Sequence, residues 1–473
     1  MAMIAATGTG ERGHPLKGLM SEEIRSIADL IRYFSEGAKA REDWRIGTEY
    51  EKVAVFADSG YAIPFSGPRG AEEILRRLAD RYGYQPEEEE GRILALKAPN
   101  SSITLEPGGQ IELSGEQCVD IHCAYAEFSQ HVAQLREVAS GLDVALLGLG
   151  MQPRSRLDQI ELLPKTRYRI MYPYMARRGG LGQRMMKQTA GVQANLDYSD
   201  EADAMRKLRV AMGIVPLLYA IFANSPLSDG GLNGYLSFRG RVWLDTDPDR
   251  CGIPPFVFNE QAGFEDYAQY ALDVPMYFII RDHRYLDLTR PPGLSFRQFL
   301  DRGFEGARAT MEDWANHLTT IFTEARLKRY LELRTPDSQP PALMLAFPAL
   351  CKGLLYDLDC TLAAWDLVKR WSPEQRWALT TLAHKAGLET RLAGIRLRDL
   401  ALELLEIAMS GLSRQGALNA RGDNESIYLL RTLDLVRGGH NPASLVVGRW
   451  KGPWNYDFGR LVAGTSYDNE EWA

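Results

Sequence analysis

Glutamates recur in strand-like company in this chain: Glu49 and Glu51 in GTEYEKVAVF, Glu106 and Glu112 in ITLEPGGQIELSG, and Glu332 in RLKRYLELR. A single Glu-x-Glu on a strand usually marks a solvated face. Five acids on neighbouring strand faces are another matter, because like charges about 4 Å apart repel by about 4 kcal/mol at an effective dielectric of about 20. Such a cluster calls for cations. Carboxylate and amide oxygens suit magnesium, and Gln193, Asn195 and Asp197 add oxygens at the alternate positions of GVQANLDY. Arg334, two residues after Glu332, is either a local ion-pair partner or part of the same site.

The elements that must position these groups follow from periodicity. In residues 103–115, Ile103, Leu105, Ile111 and Leu113 form one face and Glu106, Gln110 and Glu112 the other, with Pro107-Gly108-Gly109 bending the chain between two arms. Glu49 and Glu51 share a face with Val53 and Val55. Lys328, Tyr330, Glu332 and Arg334 form one side of a strand whose other side is Leu327, Leu331 and Leu333. An antiparallel sheet can pack one face on helices and leave the other open, so the acids are expected on the open face.

Further strands are predicted at 46–56, 144–151 and 191–198, helices at 21–34, 71–82 and 121–140, and an acidic turn at 87–90. Ser199 or Asp200 caps a helix that stops at Asn224-Ser225-Pro226. Beyond Pro340 the pattern is helical to about residue 437, with Leu397, Leu400, Leu404 and Ile407 as an apolar stripe. No repeat or low-complexity linker divides the chain. It reads as an α+β protein with a tail (1–20) and a single domain (21–473) whose C-terminal part, about 340–437, is mainly helical.

Composition excludes several classes. The chain has 473 residues, 45% of them hydrophobic, enough for a large core. A net charge of -7 with no basic run argues against nucleic acid. The longest nearly apolar run, Met212–Ala223, is too short for a bilayer span, and the first residues do not follow a signal-peptide pattern, so a cytoplasmic protein is expected. Five cysteines without CxxC spacing suggest neither a zinc site nor a disulfide scaffold. GTGERG at 8–13 matches GxGxxG but follows no strand and opens no helix. Arg421-Gly422-Asp423 reads as chance, residues 176–187 (ARRGGLGQRMMK) as a surface loop, and His122 and His317 as packed or capping residues. Without a GxSxG elbow, nucleophilic serine catalysis has no support.

Taken in order, GTEYEK, ITLEPGGQIELSG, LPKTRYRIM, GVQANLDYSDEAD, FANSP, FRGRVWLDTDPDR, YALDVPMYF and NHLTTIFTEARLKRYLELR resemble glutamate-cysteine ligase of the plant and proteobacterial type. GLLYD at 353–357 and GPWN at 452–455 extend the similarity over most of the chain. The resemblance implies a glutamine-synthetase-like fold, in which an antiparallel sheet forms an open funnel packed with helices. It implies that ATP and Mg2+, or Mn2+ in its place, sit against the acidic face. There the side-chain carboxylate of glutamate would attack the terminal phosphate, and the amine of cysteine would attack the resulting acyl phosphate to give gamma-glutamylcysteine.

By motif match, Glu49, Glu51, Glu106, Glu112 and Glu332 resemble the metal ligands, and Arg334, Gln193, Asn195 and Lys52 resemble the ATP contacts. Arg167, Arg239 and Tyr277, with Arg241 and Trp243, match positions that hold glutamate; Arg334, Glu332 and Arg239 would act in catalysis. Plant members carry regulatory cysteines that 304–313 and 343–348 lack. Tyr50 stands where the motif usually has histidine, and Ala190-Gly191 where it has cysteine-threonine. Small-molecule substrates and a monomer or homodimer are expected. A related carboxylate-amine ligase with another acceptor, or a non-catalytic binding protein of the same fold, remain as alternatives.

Overall fold

The computed structural model describes residues 22–291 and 293–469. The tail 1–20 with its glycine motif, and Ser21, the first residue of the first expected helix, lie outside them.

The centre is a nine-stranded sheet whose strands all pair antiparallel: β1 (Ile46–Phe56), β2 (Gln85–Glu89), β3 (Arg92–Lys97), β4 (Ser102–Leu105), β5 (Ile111–Ser114), β6 (Val144–Leu147), β7 (Val192–Leu196), β8 (Ala325–Leu327) and β9 (Leu331–Leu333). The order is β8-β9-β7-β1-β5-β4-β3-β2, with β6 added to β1. Strand β1 is long enough to serve three partners. Its first half lies between β5 and β7, and its second half pairs with β6.

Helices α1 (Ile27–Ser35), α2 (Ala71–Tyr82), α3 (Ile121–Ser140), α4 (Thr166–Arg178), α5 (Gly182–Gln188), α6 (Glu201–Gly213), α7 (Phe238–Trp243), α8 (Ala346–Leu355), α9 (Leu397–Gln415), α10 (Pro442–Lys451) and α11 (Phe458–Thr465) surround it. On one face of the sheet Tyr50 packs on Phe128 of α3, ring centroids 4.7 Å apart, within the main core. On the other face Val53 and Val55 form a separate cluster with Trp450 of α10 and Leu461 and Val462 of α11. The face that begins with Glu49 and Glu51 is therefore closed at its apolar end by the last two helices. Among the described residues no single helix is long and apolar enough to cross a membrane.

Four local expectations are corrected. Residues 87–90 are not a turn. Gln85–Glu89 is the edge strand β2, where Pro86 and three glutamates are tolerated because no further strand must pair with it, and the turn falls at Glu90-Gly91, both at positive φ. RLKRYLELR is a hairpin, closed by a Lys328 N to Tyr330 O bond of 2.8 Å; the alternation runs through the bend and hides it. Residues 176–187 are the end of α4 and most of α5, with Met185 and Met186 buried. The helix capped by Asp200 breaks at Ile214 and a second begins at Val215, because Pro216 has no N–H to continue the first.

The cysteine expectation is also corrected: Cys118 and Cys123 form a disulfide. Cys118 pairs with Ile46 at the start of β1, and Cys123 lies in the first turn of α3, where its N–H donates to Asp120 at 2.8 Å. Turning from strand into helix brings two Cα atoms five residues apart to 5.6 Å, within disulfide reach. Cys251, Cys351 and Cys360 are free thiols. By chain entropy so short a loop contributes at most about 2 kcal/mol. Cys118→Ser should lower stability by up to that amount in a denaturant titration while turnover stays at the parental value, since neither sulfur touches the acidic face.

Candidate active site

Cross-strand register builds the site. Glu51 of β1 lies opposite Glu112 of β5, Glu49 lies opposite Gln193 of β7, and Asn195 stands between Gly47 and Glu332 of β9, which is opposite Arg326 of β8. These side chains share one face because opposed residues of an antiparallel pair point the same way. Gly47 leaves little room there, since a Cβ would come within 3.2 Å of Asn195 Cβ.

Glu106 arrives from the β4–β5 bend, so that carboxylate oxygens of Glu51, Glu106 and Glu112 all lie within 4.8 Å of one another. Gln110 sets this bend: its Oε1 accepts from Gly108 N at 2.9 Å and its Nε2 donates to Thr189 O at 2.7 Å. Gly108 itself lies so close to the Lys187 carbonyl that a Cβ would meet its oxygen at 2.1 Å.

Electrostatics divides the acids into two groups. Burial and then the Glu112 charge raise the pKa of Glu51. Burial, followed by Glu332 and Glu112, pushes the carboxyl of Glu49 up to about 7, although Asn195 Nδ2 donates to it at 3.0 Å. In both cases burial is the larger cause and the neighbouring carboxylate charge adds to it. Glu332 is the opposite case. It is fully buried, yet Arg326, Lys328 (3.0 Å) and Arg334 (3.3 Å) hold it well below the usual carboxylate range. The structure thus does not gather Glu332 with the carboxylate trio. Three hard oxygen donors at this spacing fit a divalent cation such as magnesium.

Beside the trio a cavity is lined by Glu51, Glu106, Gln193, Arg167, Arg239 and Arg334, with Trp243, Phe322 and the methionines 171, 185 and 186 as its apolar wall. Arg167 is in the first turn of α4, whose N-terminus is capped by Glu89 through Thr166 N at 2.8 Å. Arg239, on α7, donates from Nη1 to Thr335 O at 2.8 Å and from Nη2 to Arg334 O at 3.1 Å. Buried Nε atoms of both arginines have no hydrogen-bond partner among the described residues. Arg334 donates to Gln193 Oε1. A larger groove near Trp454 and Arg460 contains none of these groups.

Three expected site residues lie elsewhere. Lys52 is one residue out of step with Glu51, so it points to the opposite face, where it is fully buried, donates to Tyr50 O at 2.8 Å, and is brought down to about 7 by burial. Arg241, two residues from Arg239 on a helix, faces away and pairs with Asp245 at 3.2 Å. Tyr277 is buried behind α4, edge-on to Tyr174 at 5.0 Å and under Arg250 at 4.0 Å. Unforeseen are Arg326, invisible until β8 and β9 are seen as a hairpin, and the methionine wall, of which Met185 and Met186 lie in the segment 176–187 that reads as a surface loop. His317 is buried, with Nε2 2.8 Å from Ala271 O, and His122 meets Tyr428, as packed residues should.

The profile of glutamate-cysteine ligase family 2 (GCS2) matches residues 45–464. The chain belongs to this glutamate-cysteine ligase family. It is 40% identical over 459 residues to the chloroplastic glutamate–cysteine ligase of Brassica juncea, covering 94% of this chain and 86% of that one. It is 41% identical over 430 residues to the chloroplastic glutamate–cysteine ligase B of Oryza sativa subsp. japonica, covering 90% and 84%. Among solved structures, the fold is similar to a Francisella tularensis glutamate–cysteine ligase in complex with AMP, at a TM-score of 0.54 and 14% identity over 90% and 89% of the two chains. The ligase family thus supplies the glutamine-synthetase-like sheet and funnel expected from the sequence.

Two outcomes follow for the acids. Because the folded pKa of Glu49 lies near 7, above its ordinary value of 4.5, its contribution to metal-free stability is full below about 4.5 and is lost as pH rises through 7. His131 and His384, buried and shifted down, act in the opposite sense, so the readout is a difference. The melting temperature of the chelated parent minus that of Glu49→Gln should fall between pH 4.5 and 8; a flat difference contradicts the electrostatic picture. Glu332→Gln removes the charge shared by three buried cations and should cost about 3–5 kcal/mol of stability by denaturant titration. An unchanged midpoint would contradict its pairing.

Proposed function

We propose that this chain is an ATP-dependent ligase that joins the side-chain carboxylate of glutamate to the amine of cysteine, giving gamma-glutamylcysteine. The observation that carries this reading, in a chain 40% identical to a named glutamate–cysteine ligase, is one cavity where Glu51 and Glu106, clustered with Glu112 behind them, meet Arg167, Arg239 and Arg334.

The reaction needs two anions, a triphosphate and a carboxylate, held in contact. Positive charge must therefore meet each of them. Magnesium, when bound, supplies charge neutralisation for the phosphates and is held by Glu51, Glu106 and Glu112, with Glu49 next to them. Arg334 is fixed by Gln193 and Glu332 and faces the transferring phosphoryl group, where a guanidinium stabilises developing charge. Arg167 and Arg239 bind the carboxylates of glutamate, a task that suits a planar fork of donors.

Transfer of the terminal phosphoryl group to the side-chain carboxylate gives an acyl phosphate and ADP. Attack by the cysteine amine then forms the amide and releases phosphate. No side chain need form a covalent bond, so positioning and charge provide the catalysis. Met171, Met185, Met186 and Trp243 give the cavity an apolar wall that keeps water from the acyl phosphate and offers soft contacts to a thiol side chain.

The purified protein should release phosphate only when glutamate, ATP and an amine are all present, with cysteine the best acceptor in an amine panel and gamma-glutamylcysteine identified by mass. A different best acceptor would overturn the acceptor assignment. Chelation should abolish turnover and either magnesium or manganese should restore it; Glu112→Gln should reduce kcat at least about 100-fold. Turnover surviving exhaustive chelation would remove the metal from the mechanism.

A further inference from the structure

Asp337 lies outside the cavity lining, is 1% exposed and touches no group assigned to substrate. Its carboxylate nevertheless gathers the helix that carries Arg239. Oδ2 accepts from Ser225 Oγ at 2.7 Å and from Asn224 N at 2.7 Å, and Oδ1 accepts from Ser237 Oγ at 2.9 Å. Both serines then act on α7. Ser225 Oγ accepts from Arg239 N at 3.0 Å, and Ser237, the N-cap, accepts from Gly240 N at 3.2 Å.

The same short segment holds the other end of the arginine, since Arg239 donates to the carbonyls of Arg334 and Thr335. Asp337 also bridges to Gly191, whose N–H donates to Glu51 at 2.6 Å. Gly150 packs against it so closely that a Cβ would meet Asp337 Cβ at 2.4 Å, which leaves the carboxylate a single position.

We infer that Asp337 is a positioning residue: through Ser225 and Ser237 it fixes the backbone of α7 so that the Arg239 guanidinium faces the cavity. Removing one carboxylate from a buried three-donor hub leaves hydroxyl and amide donors to find new partners. The start of α7 then shifts, and a guanidinium displaced by a fraction of an ångström binds a carboxylate poorly. This inference rests on the reading of Arg239 as the glutamate anchor.

Steady-state saturation curves for all three substrates test it on the full chain, with melting temperatures alongside. Asp337→Asn, Ser225→Ala and Ser237→Ala should each raise KM for glutamate, the first by about tenfold and the serine variants by about threefold, while KM for ATP and kcat stay within about twofold of the parent. Arg239→Lys serves as reference. A parental glutamate KM in Arg239→Lys overturns the anchor reading and the inference with it. A raised KM in Arg239→Lys beside parental values in the two serine variants and Asp337→Asn overturns the positioning role alone. If Asp337→Asn does not fold, the serine variants decide. A uniform loss of kcat with unchanged glutamate KM would mark a merely structural hub and count against the role.

Discussion

Three carboxylates within 4.8 Å of one another repel, and their repulsion is the constraint around which the rest of the site is arranged. Pairwise terms of about 4 kcal/mol at an effective dielectric of about 20 would disperse such a cluster from any flexible loop. Strand β1 prevents this by holding Glu51 opposite Glu112 in a fixed register. A one-residue slip of β1 would send Glu51 to the core face, where Tyr50 and Lys52 now sit, and part it from Glu112. The long three-partner pairing of β1 therefore serves electrostatics as much as folding. It holds the like charges at close quarters.

The opposite end of the same face has the opposite balance. Glu332 meets three cations, so Arg326, Lys328 and Arg334 exceed it by two charges, while at the other end the carboxylates of Glu51, Glu106 and Glu112 lie within 4.8 Å of one another. Across the strands the face thus runs from acidic to basic. A metal-bound polyphosphate is itself polarised in this way, with the cation on one side and bare oxygens on the other. Glu332 orders the basic end without neutralising it, which gives it a role in shaping the site even without a metal at its carboxylate. The methionine wall lines another side of the cavity, and the C-terminal helices cover the apolar end of the same face.

Much of this was legible in the sequence where period-two alternation and helix caps dominate. Strand 46–56 and helices 71–82 and 121–140 agree with the structure residue for residue. Alternation was also enough to place Glu49, Glu51, Glu106 and Glu112 on one face. It failed where a turn preserves the period, as in RLKRYLELR, and where helix α5 begins after two glycines. It could not have found Arg326 opposite Glu332, which depends on the hairpin. Motif likeness placed Lys52, Arg241 and Tyr277 among the site residues, but their side-chain directions are set by strand parity, helix phase and packing behind α4. The disulfide escaped because Cys118 and Cys123 are joined by a change from strand to helix, which cysteine spacing alone does not reveal.

One departure from the family pattern acquires a physical meaning from the geometry. Ala190-Gly191 stands where the motif usually has cysteine-threonine, immediately before β7. A Cβ on Gly191 would lie 2.6 Å from Arg239 Nη2 and 3.0 Å from its Cζ, so no larger residue fits while the arginine occupies this position. Gly191 N meanwhile donates to Glu51 Oε2 at 2.6 Å, tying the metal-side acid to the same backbone point. In this chain the guanidinium therefore lies against the strand backbone, in space that a threonine side chain would fill. Substitution at position 191 is thus coupled to where the Arg239 guanidinium sits, because any side chain added there must displace the end of this arginine.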